Sequence, residues 1–472
     1  MLLSDSYKNS HSKQYPKGTE YVYSYLESRG GKFDEIVFFG LQYFIKEYLE
    51  GVVITQEKIN NARKIINAHM GPGHFNEKGW AHILDEHGGV LPVVIRAVPE
   101  GTVVGTSNVL MTVQNTDPNC WWLTNFLETL LLQVWYPITV ATTSRECKKL
   151  IKNSLRLTGD FKNQAELDAS LDFKLVDFGC RGVSSMESAA LGGAAHALSF
   201  KSSDTMPAIQ LLQEYYNCTE MPIYSIPASE HSTITSWGKD SELTAFENML
   251  DTYPTGPVAC VSDSFDISEA TDILWPALKE KILARDGVLI IRPDSGDIKM
   301  TLQVVLSNLW KHFGGHLSPE GYKILDPHIR VIQGDGMNYE SLKETLSYIQ
   351  TIGFSTENVA FGMGGALLQK VDRDTQKFAF KCSAICIDGE WQGVYKAPTE
   401  LDENGDKHAS FKRSKQGFLS LVPSDNGFTT ISNPTDIEVP SNALRTAFAD
   451  GVAVRRRDSY EFKDVKQRAQ VV

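Results

Sequence analysis

Val288-Leu289-Ile290-Ile291-Arg292-Pro293-Asp294-Ser295-Gly296-Asp297 is the stretch on which the reading of this chain turns. Four apolar, mostly β-branched residues predict a buried strand. The run stops abruptly in Arg, Asp and Ser beside Pro and Gly. That ending places an anion-binding guanidinium and a carboxylate at one rim of a sheet. The same grammar recurs through the middle of the chain. Residues 174–177 lead into Phe178-Gly179-Cys180-Arg181-Gly182, 198–200 into Ser202-Ser203-Asp204, and 222–226 into Pro227-Ala228-Ser229-Glu230-His231. Residues 258–261 lead into Ser262-Asp263-Ser264, 329–332 into Gln333-Gly334-Asp335-Gly336, and 359–361 into Gly362-Met363-Gly364-Gly365. Helical patterns fill the gaps, as at 185–197, 267–284 and 339–352. Together these make seven βα units, close to the eight of a (β/α) barrel. Alternation of this kind demands parallel strands. Ligands bind at the C-terminal ends of such strands, so every polar turn above is expected to face one cavity.

The flanks read differently. Residues 35–49 (EIVFFGLQYFIKEYL) have helical periodicity after Gly30-Gly31. Residues 91–104 alternate like strands around Pro92 and Pro99. Residues 121–135 (WWLTNFLETLLLQVW) predict a buried helix, and the polar stretch 157–172 a surface connection. From about residue 384 short strands are expected, with an acidic loop at 398–410 followed by Lys412-Arg413-Ser414-Lys415. Arg455-Arg456-Arg457 is read as a solvated charge cluster.

With 472 residues, two or three domains or a barrel with a large appendage are expected. Acidic residues exceed basic ones, 58 to 46, for a formal charge of -12. That excess argues against a nucleic-acid surface, and any phosphate pocket must be built against the net field. The seven cysteines are scattered, and Cys382 and Cys386 lack the usual zinc spacing. Reduced thiols in a cytoplasmic protein are the reading. The N-terminus has no signal-peptide apolar region, and no uncharged apolar run approaches the ~18 residues of a spanning helix. No membrane association is expected.

Several residues in the polar row can carry chemistry. Gly362–Leu367 is a glycine-rich turn opening a helix, where backbone N–H groups can cradle a phosphate; a plain tight turn has the same composition. Gly334-Asp335-Gly336 reads as a second close-approach loop. Arg292 can grip phosphate bidentately, and Asp294 can hold a sugar hydroxyl or a magnesium ion; the bland alternative is an Arg–Asp pair sealing the rim. His231 can act as a nucleophile toward phosphorus or as an acid/base, with Glu230 placed to orient it, or is a satisfied structural group. Phe178 beside Arg181 can stack a flat heterocycle, or Phe178 is core. Asp204 can accept from an amide NH2 or cap the helix that follows.

Taken together, these residues resemble the nicotinamide phosphoribosyltransferases, of the type II, nicotinate phosphoribosyltransferase-like family. The resemblance begins at Asp5-Ser6-Tyr7-Lys8 and Lys13-Gln14-Tyr15-Pro16, and continues through Asn76-Glu77-Lys78-Gly79-Trp80, Asn115-Thr116-Asp117-Pro118 and 135–142 (WYPITVAT). It then runs through Asp177-Phe178-Gly179, 181–185 (RGVSS), 230–234 (EHSTI), 292–296 (RPDSG), 333–336 (QGDG), 367–370 (LLQK) and 380–383 (FKCS). It implies an irregular (β/α) barrel of parallel strands at 156–383, with an α+β domain built from 1–155 and 384–472. It implies a homodimer that transfers phosphoribose from phosphoribosyl pyrophosphate to nicotinamide, with Mg2+, and with ATP coupled through a phosphohistidine. His231, Asp294 and Arg292 are the implied catalytic residues. Tyr7 from the partner subunit and Phe178 would sandwich the pyridine ring, Asp204 would accept from the carboxamide, Arg181 and Arg292 would line the base and phosphoribose site, and Ser225 would be a further substrate-binding residue. Asp294 and Asp335 would take the ribose, with Gly334 a further substrate-binding residue; Gly364, Gly365 and Arg373 the 5′-phosphate; and Lys381, Lys396 and Lys412 the polyphosphate. A carboxylate at 204 favours nicotinamide over nicotinate, whose own carboxylate it repels.

The chain departs from the family pattern in places. Arg29-Gly30-Gly31-Lys32 replaces a longer insertion that carries basic residues. Ala366 stands where the glycine-rich turn has a third glycine, and Ala259 and Ala379 stand where the family has serines. Two competing functions are a nicotinate phosphoribosyltransferase, against which Asp204 discriminates, and a non-catalytic binding protein on the same fold, against which His231, Asp294 and Arg292 stand together.

Overall fold

The computed structural model describes residues 1–401, 407–409, 414–425, 427–454 and 461–470. The chain forms two compact units. One holds Thr143–Gln213, Cys218–Val371 and residue 470; the other holds Met1–Thr142, Glu214–Asn217 and the described residues of Asp372–Ala469. The boundaries expected at 155/156 and 383/384 fall at 142/143 and 371/372. The second shift has a plain cause. The Phe378–Ile387 strand pairs antiparallel with Thr19–Ser28, Phe378 opposite Ser28 and Ile387 opposite Thr19.

The first unit is the barrel. Its five strands are parallel, in the order Leu175–Asp177, Val359–Met363, Ile329–Gln333, Leu289–Arg292, Val258–Val261. Single parallel bridges continue the ring, from Asp177 to Ser203, from Ser202 to Tyr224, and from Ala228 back to Ala259. The sheet therefore closes, and the α/β class with an irregular barrel is borne out. Residues 198–200 and 222–226, expected as strands, contribute at most these bridges. Pro222 and Pro227 offer no N–H to a ladder. The Ser202 hydroxyl, rather than a backbone N–H, reaches the Leu175 carbonyl at 2.7 Å.

The helices between strands begin at capping residues set just after the polar turns. Asp297 accepts from Met300 N at 2.9 Å and starts Ile298–Phe313. That helix buries Leu302, Val305, Leu306, Leu309 and Phe313, one stripe at 3.6-residue spacing. Asn338 caps Tyr339–Thr351 through Glu340 N and Ser341 N, and Ser185 caps Met186–His196 through Ser188 N. Two of the turns share a device. Asp294 and Asp335 each stand shortly before a glycine of positive φ, Gly296 at 87° and Gly336 at 71°, which turns the chain toward the capping residue. The 267–284 pattern is helical but not continuous: residues Ala270–Leu274 are π-helical, followed by Pro276.

The barrel is hollow on its inner face. Outward residues Leu175, Leu289, Ile291, Val331, Val359 and Phe361 are fully buried. The alternating inward residues Val176, Ile290 and Ala360 are only half-buried. A filled barrel interior would show the opposite pattern.

The second unit is an α+β structure built from both ends of the chain. Its seven-stranded antiparallel sheet runs Glu390–Gly393, Phe378–Ile387, Thr19–Ser28, Val109–Asn115, Val93–Ala97, Arg445–Ala449, Val452–Ala453. The helix expected over 35–49 is instead a strand, Glu35–Val37, and a helix, Leu41–Tyr48. Gly40 separates them at φ 104°, where a Cβ would lie 2.4 Å from the Pro137 ring. Residues 121–135 divide into the short helices Leu123–Phe126 and Glu128–Leu132 before a 24-residue helix, Trp135–Thr158. The connection expected at 157–172 holds the Gln164–Leu171 helix. None of the seven cysteines is in a disulfide. Among the described residues no helix is long and apolar enough to cross a membrane. Lys412, Arg455, Arg456, Arg457 and residues 402–406 and 410 of the acidic loop lie outside the described residues.

Candidate active site

A cavity of about 370 Å³ occupies the barrel interior, within the range of small-molecule sites. Val176, Ala259, Ile290, Ile332 and Ala360 form its apolar wall, and Phe178, Asp204, Ser225 and Arg292 stand among its lining residues. Four of the residues singled out in the sequence are thus brought to one space.

Phe178 follows the Leu175–Asp177 strand, and its N–H donates to the Met363 carbonyl at 3.0 Å. Its ring lies so close to the 362 backbone that a Cβ there would sit 2.2 Å from it. Glycine at 362 is therefore a seat for the ring, as well as part of a turn. Phe178 is half-buried, so the core and ligand-facing readings both hold in part. The Asp177 carboxylate is fully buried and orders two loops at once. It accepts from Gly179 N at 2.7 Å and from Ser203 Oγ at 3.0 Å. Asp204 N donates to the Asp177 carbonyl. The Asp204 carboxylate accepts from the Ser225 hydroxyl, while Ser203 Oγ takes the Thr205 N–H at 3.0 Å. Asp204 is thus exposed and faces the cavity with one side-chain partner already in place.

Arg292 ends the Leu289–Arg292 strand. Its Nε is buried and has no hydrogen-bond partner among the described residues, and its Nη2 lies 3.9 Å from Asp294 Oδ2. That distance is an ion pair at arm's length, not a hydrogen bond, so a sealed rim pair does not describe it. An orphaned guanidinium donor at a cavity wall needs an anionic or carbonyl oxygen. Burial raises the Asp294 pKa; Asp263 and Asp335 add to the rise, while Arg292 and His231 oppose it.

His231 opens the short His231–Thr235 helix and is about half exposed. The partner expected for it was Glu230; the structure corrects this. The Glu230 carboxylate accepts from the Ser232 hydroxyl and belongs to a capping box with Thr233. Asp263 takes the orienting role, its Oδ1 3.0 Å from His231 Nε2, while Asp294 Oδ2 is 4.0 Å from Nδ1. Asp263 Oδ2 also accepts from Asp294 N at 3.1 Å and from the Ser295 hydroxyl. One nearly buried carboxylate therefore fixes the histidine and the 294–295 turn together. Sequence reasoning passed over Asp263, although it sits in the same row of strand ends, in Ser262-Asp263-Ser264.

Asp335 follows the Ile329–Gln333 strand, and Gln333 Nε2 donates to its carbonyl at 3.0 Å. Gly334 stands beside Phe178 and Asp294, both within van der Waals distance of the position a Cβ would take. Gly364 and Gly365 precede a single helical turn, Gly365–Leu368. A Cβ at 364 would press on the Phe178 carbonyl at 3.3 Å, and one at 365 would meet nothing within 4 Å. Arg181 is exposed on the Cys180–Gly182 turn, and a Cβ added at Gly182 would lie 3.7 Å from the Gly365 backbone.

The remaining predicted residues belong to the other unit. Arg373 pairs with Asp374 at 2.9 Å. Lys381 lies on the Phe378–Ile387 strand, and its Nζ donates to the Phe380 carbonyl. Burial lowers its pKa; Glu128 opposes, and Arg29, Lys396 and Lys8 add to the lowering. Lys381 therefore feels three other cations of this unit. Lys8 and Arg29 are additions that the sequence reading did not make. Tyr7 is 57% exposed on the Ser6–Lys13 turn, edge-on to His11.

Comparison with known proteins agrees with this geometry. Residues 173–423 match the model of the nicotinate phosphoribosyltransferase family, and residues 1–95 that of the nicotinamide phosphoribosyltransferase N-terminal domain. A nicotinamide phosphoribosyltransferase of Xanthomonas campestris is 50% identical over 425 residues, 89% of this chain and 87% of that protein. Another, of Acinetobacter baylyi, is 31% identical over 95% of this chain and 93% of that protein. Among solved structures, human nicotinic acid phosphoribosyltransferase aligns with a TM-score of 0.54 at 16% identity, covering 99% of this chain and 93% of that one. Nicotinate-nucleotide pyrophosphorylase of Pyrococcus furiosus aligns with a TM-score of 0.55 at 13% identity and the same coverage. At such identities these two structures speak for the fold alone.

Proposed function

Because this chain belongs to the nicotinate phosphoribosyltransferase family, and matches nicotinamide phosphoribosyltransferases over most of its length, we propose that it makes nicotinamide mononucleotide and pyrophosphate from nicotinamide and phosphoribosyl pyrophosphate, a step of NAD salvage. The observation that carries the choice of base is the Asp204–Ser225 pair on the wall of an otherwise apolar cavity beside Phe178. A flat pyridine fits the apolar wall and the ring. Its carboxamide NH2 donates to the carboxylate, whereas the carboxylate of nicotinate meets like charge.

The chemistry asks little covalent work of the protein. The C1′–O bond breaks with its electron pair leaving on pyrophosphate, and the pyridine nitrogen's lone pair forms the C1′–N bond. No proton moves, so positioning and charge stabilisation carry the rate. Arg292 supplies an unpaired donor to the leaving or sugar-phosphate oxygens. Asp294 and Asp335 take ribose hydroxyls, and their negative charge favours the cationic sugar of the transition state. Gly364 and Gly365 leave space for the 5′-phosphate. Lys381 and Lys396, with Lys8 and Arg29 near them and Lys412 in sequence, form the polyphosphate side, and Arg373 joins the phosphate site. Tyr7 completes the base site of a partner subunit in a homodimer.

Magnesium fits the oxygen donors present. Asp263 and Asp335 both act on Asp294, yet among the described residues the three do not converge as a ready three-ligand cage. That arrangement suits an ion that keeps waters and is held by one or two carboxylates plus substrate phosphates. When bound, Mg2+ neutralises charge on the departing pyrophosphate. His231 is the residue that ATP phosphorylates, with Asp263 holding Nε2 and leaving Nδ1 facing the Asp294 side.

The test is product formation from phosphoribosyl pyrophosphate with nicotinamide or nicotinate, each with and without ATP and Mg2+. Nicotinamide mononucleotide formed only from nicotinamide, and faster with ATP, is the expected result. Nicotinate-only turnover moves the chain to the sister activity, and no turnover with either base leaves a binding protein.

A further inference from the structure

Outside the barrel, one cluster of side chains has no part in phosphoribosyl transfer. In the α+β unit, His82, His87, Asp117 and Cys120 each offer one ligand atom, and these atoms all lie within 4.8 Å of one another. We propose that these four residues bind a single divalent transition-metal ion, zinc, which ties the Glu77–His87 helix to the Pro118–Cys120 turn.

The local structure presents the donors together. Asn76 caps the helix through Gly79 N, and Gly88, in the left-handed region, ends it directly after His87. His82 and His87 both reach the same atom, Asp117 Oδ2, from Nε2 at 2.7 and 2.6 Å. Asp117 keeps its other oxygen for the turn, Oδ1 accepting from Asn119 N at 2.7 Å. Its two oxygens are thus divided between a structural bond and the cluster. Cys120 is fully buried, whereas the histidines are about one-quarter exposed, which leaves a path for an ion.

The donor set decides the metal. Two imidazoles, one carboxylate and one thiol match a tetrahedral zinc site, while magnesium and calcium call for oxygen throughout. With metal–ligand bonds of about 2.0–2.3 Å, the ligand atoms of a tetrahedron are about 3.3–3.6 Å apart. The two histidine–aspartate contacts must open by under an ångström and the widest separation must close by about one, within reach of side-chain torsions. Binding balances simply. The Cys120 thiol releases one proton to solvent, each neutral imidazole moves its proton to Nδ1, and the carboxylate and thiolate together neutralise the ion. The competing arrangement is the hydrogen-bonded fork itself, two N–H groups on one carboxylate oxygen, and it needs no metal.

Full-length protein stripped with chelator and then titrated with Zn2+ separates the two. One equivalent per chain is expected, with a rise in the thermal midpoint. The His82→Ala/His87→Ala double variant should lose affinity by about 100-fold or more, since half the ligands are gone. Co2+ in place of zinc should give tetrahedral d–d bands and a thiolate charge-transfer band, and Cys120→Ser should remove the latter. Circular dichroism and phosphoribosyl transfer show whether each variant is folded. Failure to bind overturns the proposal, as does uptake unchanged in the folded double variant or a cobalt spectrum without the thiolate band. Zinc uptake that depends on Asp263 and Asp294 instead also overturns it.

Discussion

Gly362 is the most informative single position to perturb, because its backbone carries the ring of Phe178. An alanine Cβ at 362 would lie 2.2 Å from Phe178 Cε2 and 2.4 Å from Cδ2. Carbon atoms in contact sit about 3.5–4.0 Å apart, so the ring must withdraw by about 1.3 Å or more. It cannot do so by sliding the backbone, since Phe178 N is bonded to Met363 O and a Cβ on the neighbouring Gly179 would already meet Leu368 at 2.5 Å. The ring must therefore rotate out of place. Overpacking of this size costs about 1–3 kcal/mol. A stacking group displaced by about an ångström should lower kcat/KM for nicotinamide by up to about 100-fold. The double-mutant cycle isolates the cause. In a Phe178→Ala background the space is empty, and Gly362→Ala should then cost within about 0.5 kcal/mol of nothing. Gly334→Ala, whose Cβ would lie 3.6 Å from the same ring, should leave stability nearly unchanged. Urea denaturation of the set, with steady-state kinetics on each, is the assay. If Gly362→Ala costs as much without the Phe178 ring as with it, the seat argument is wrong.

Three further outcomes follow from named contacts. Asp204→Ser removes the like charge that nicotinate would meet, so nicotinate turnover should become measurable while nicotinamide turnover falls; product analysis with each base decides, and undetectable nicotinate use would mean repulsion is not the filter. His231→Ala should abolish stimulation by ATP and retain ATP-independent synthesis, and stimulation equal to that of the parent would sink the phosphohistidine. Lys174 is buried, donates to the Glu357 and Val359 carbonyls, and has its pKa lowered by burial from 10.5 to about 7. Between those values the unfolded chain holds the extra proton, so stability should rise with pH from about 7 toward 10.5, by an amount of order a few kcal/mol. Lys174→Met should flatten that rise in denaturation curves across the range, and parallel pH profiles for the two proteins would refute the assignment.

The row of site residues was legible because its chemistry lies where hydrophobic runs break. Arg292, Asp294, Asp335 and the glycines at 362, 364 and 365 stand at strand ends, and a closing sheet brings strand ends to one rim whatever the interior holds. What the interior holds was not legible. Val176, Ile290 and Ile332 are as apolar as Leu175, Ile291 and Val331, and period-two alternation separates two faces without saying which one meets a void. The small side chains Ala259 and Ala360 are the only hint, and small residues serve close packing equally well. Run length failed for the same kind of reason: the 35–49 helix looked continuous because residue identity at 40 hides that Pro137, nearly a hundred residues away, requires a glycine there.

Pairing between elements was the other blind spot, and the two clearest cases share a cause. Asp263 lies 32 residues from His231, and Asp117 lies 35 and 30 residues from its two histidines. Local spacing suggested Glu230 for His231 because adjacency is all that one sequence displays. In the fold, Glu230 is committed to its own helix start, as a residue just before a short helix often is. The aspartate one strand further round the ring is free of such a duty, and it becomes the partner. A strand-end carboxylate in a parallel barrel is thus a better candidate for orienting a catalytic histidine than a neighbour in sequence, because consecutive strand ends stand side by side while consecutive residues compete to cap the same helix.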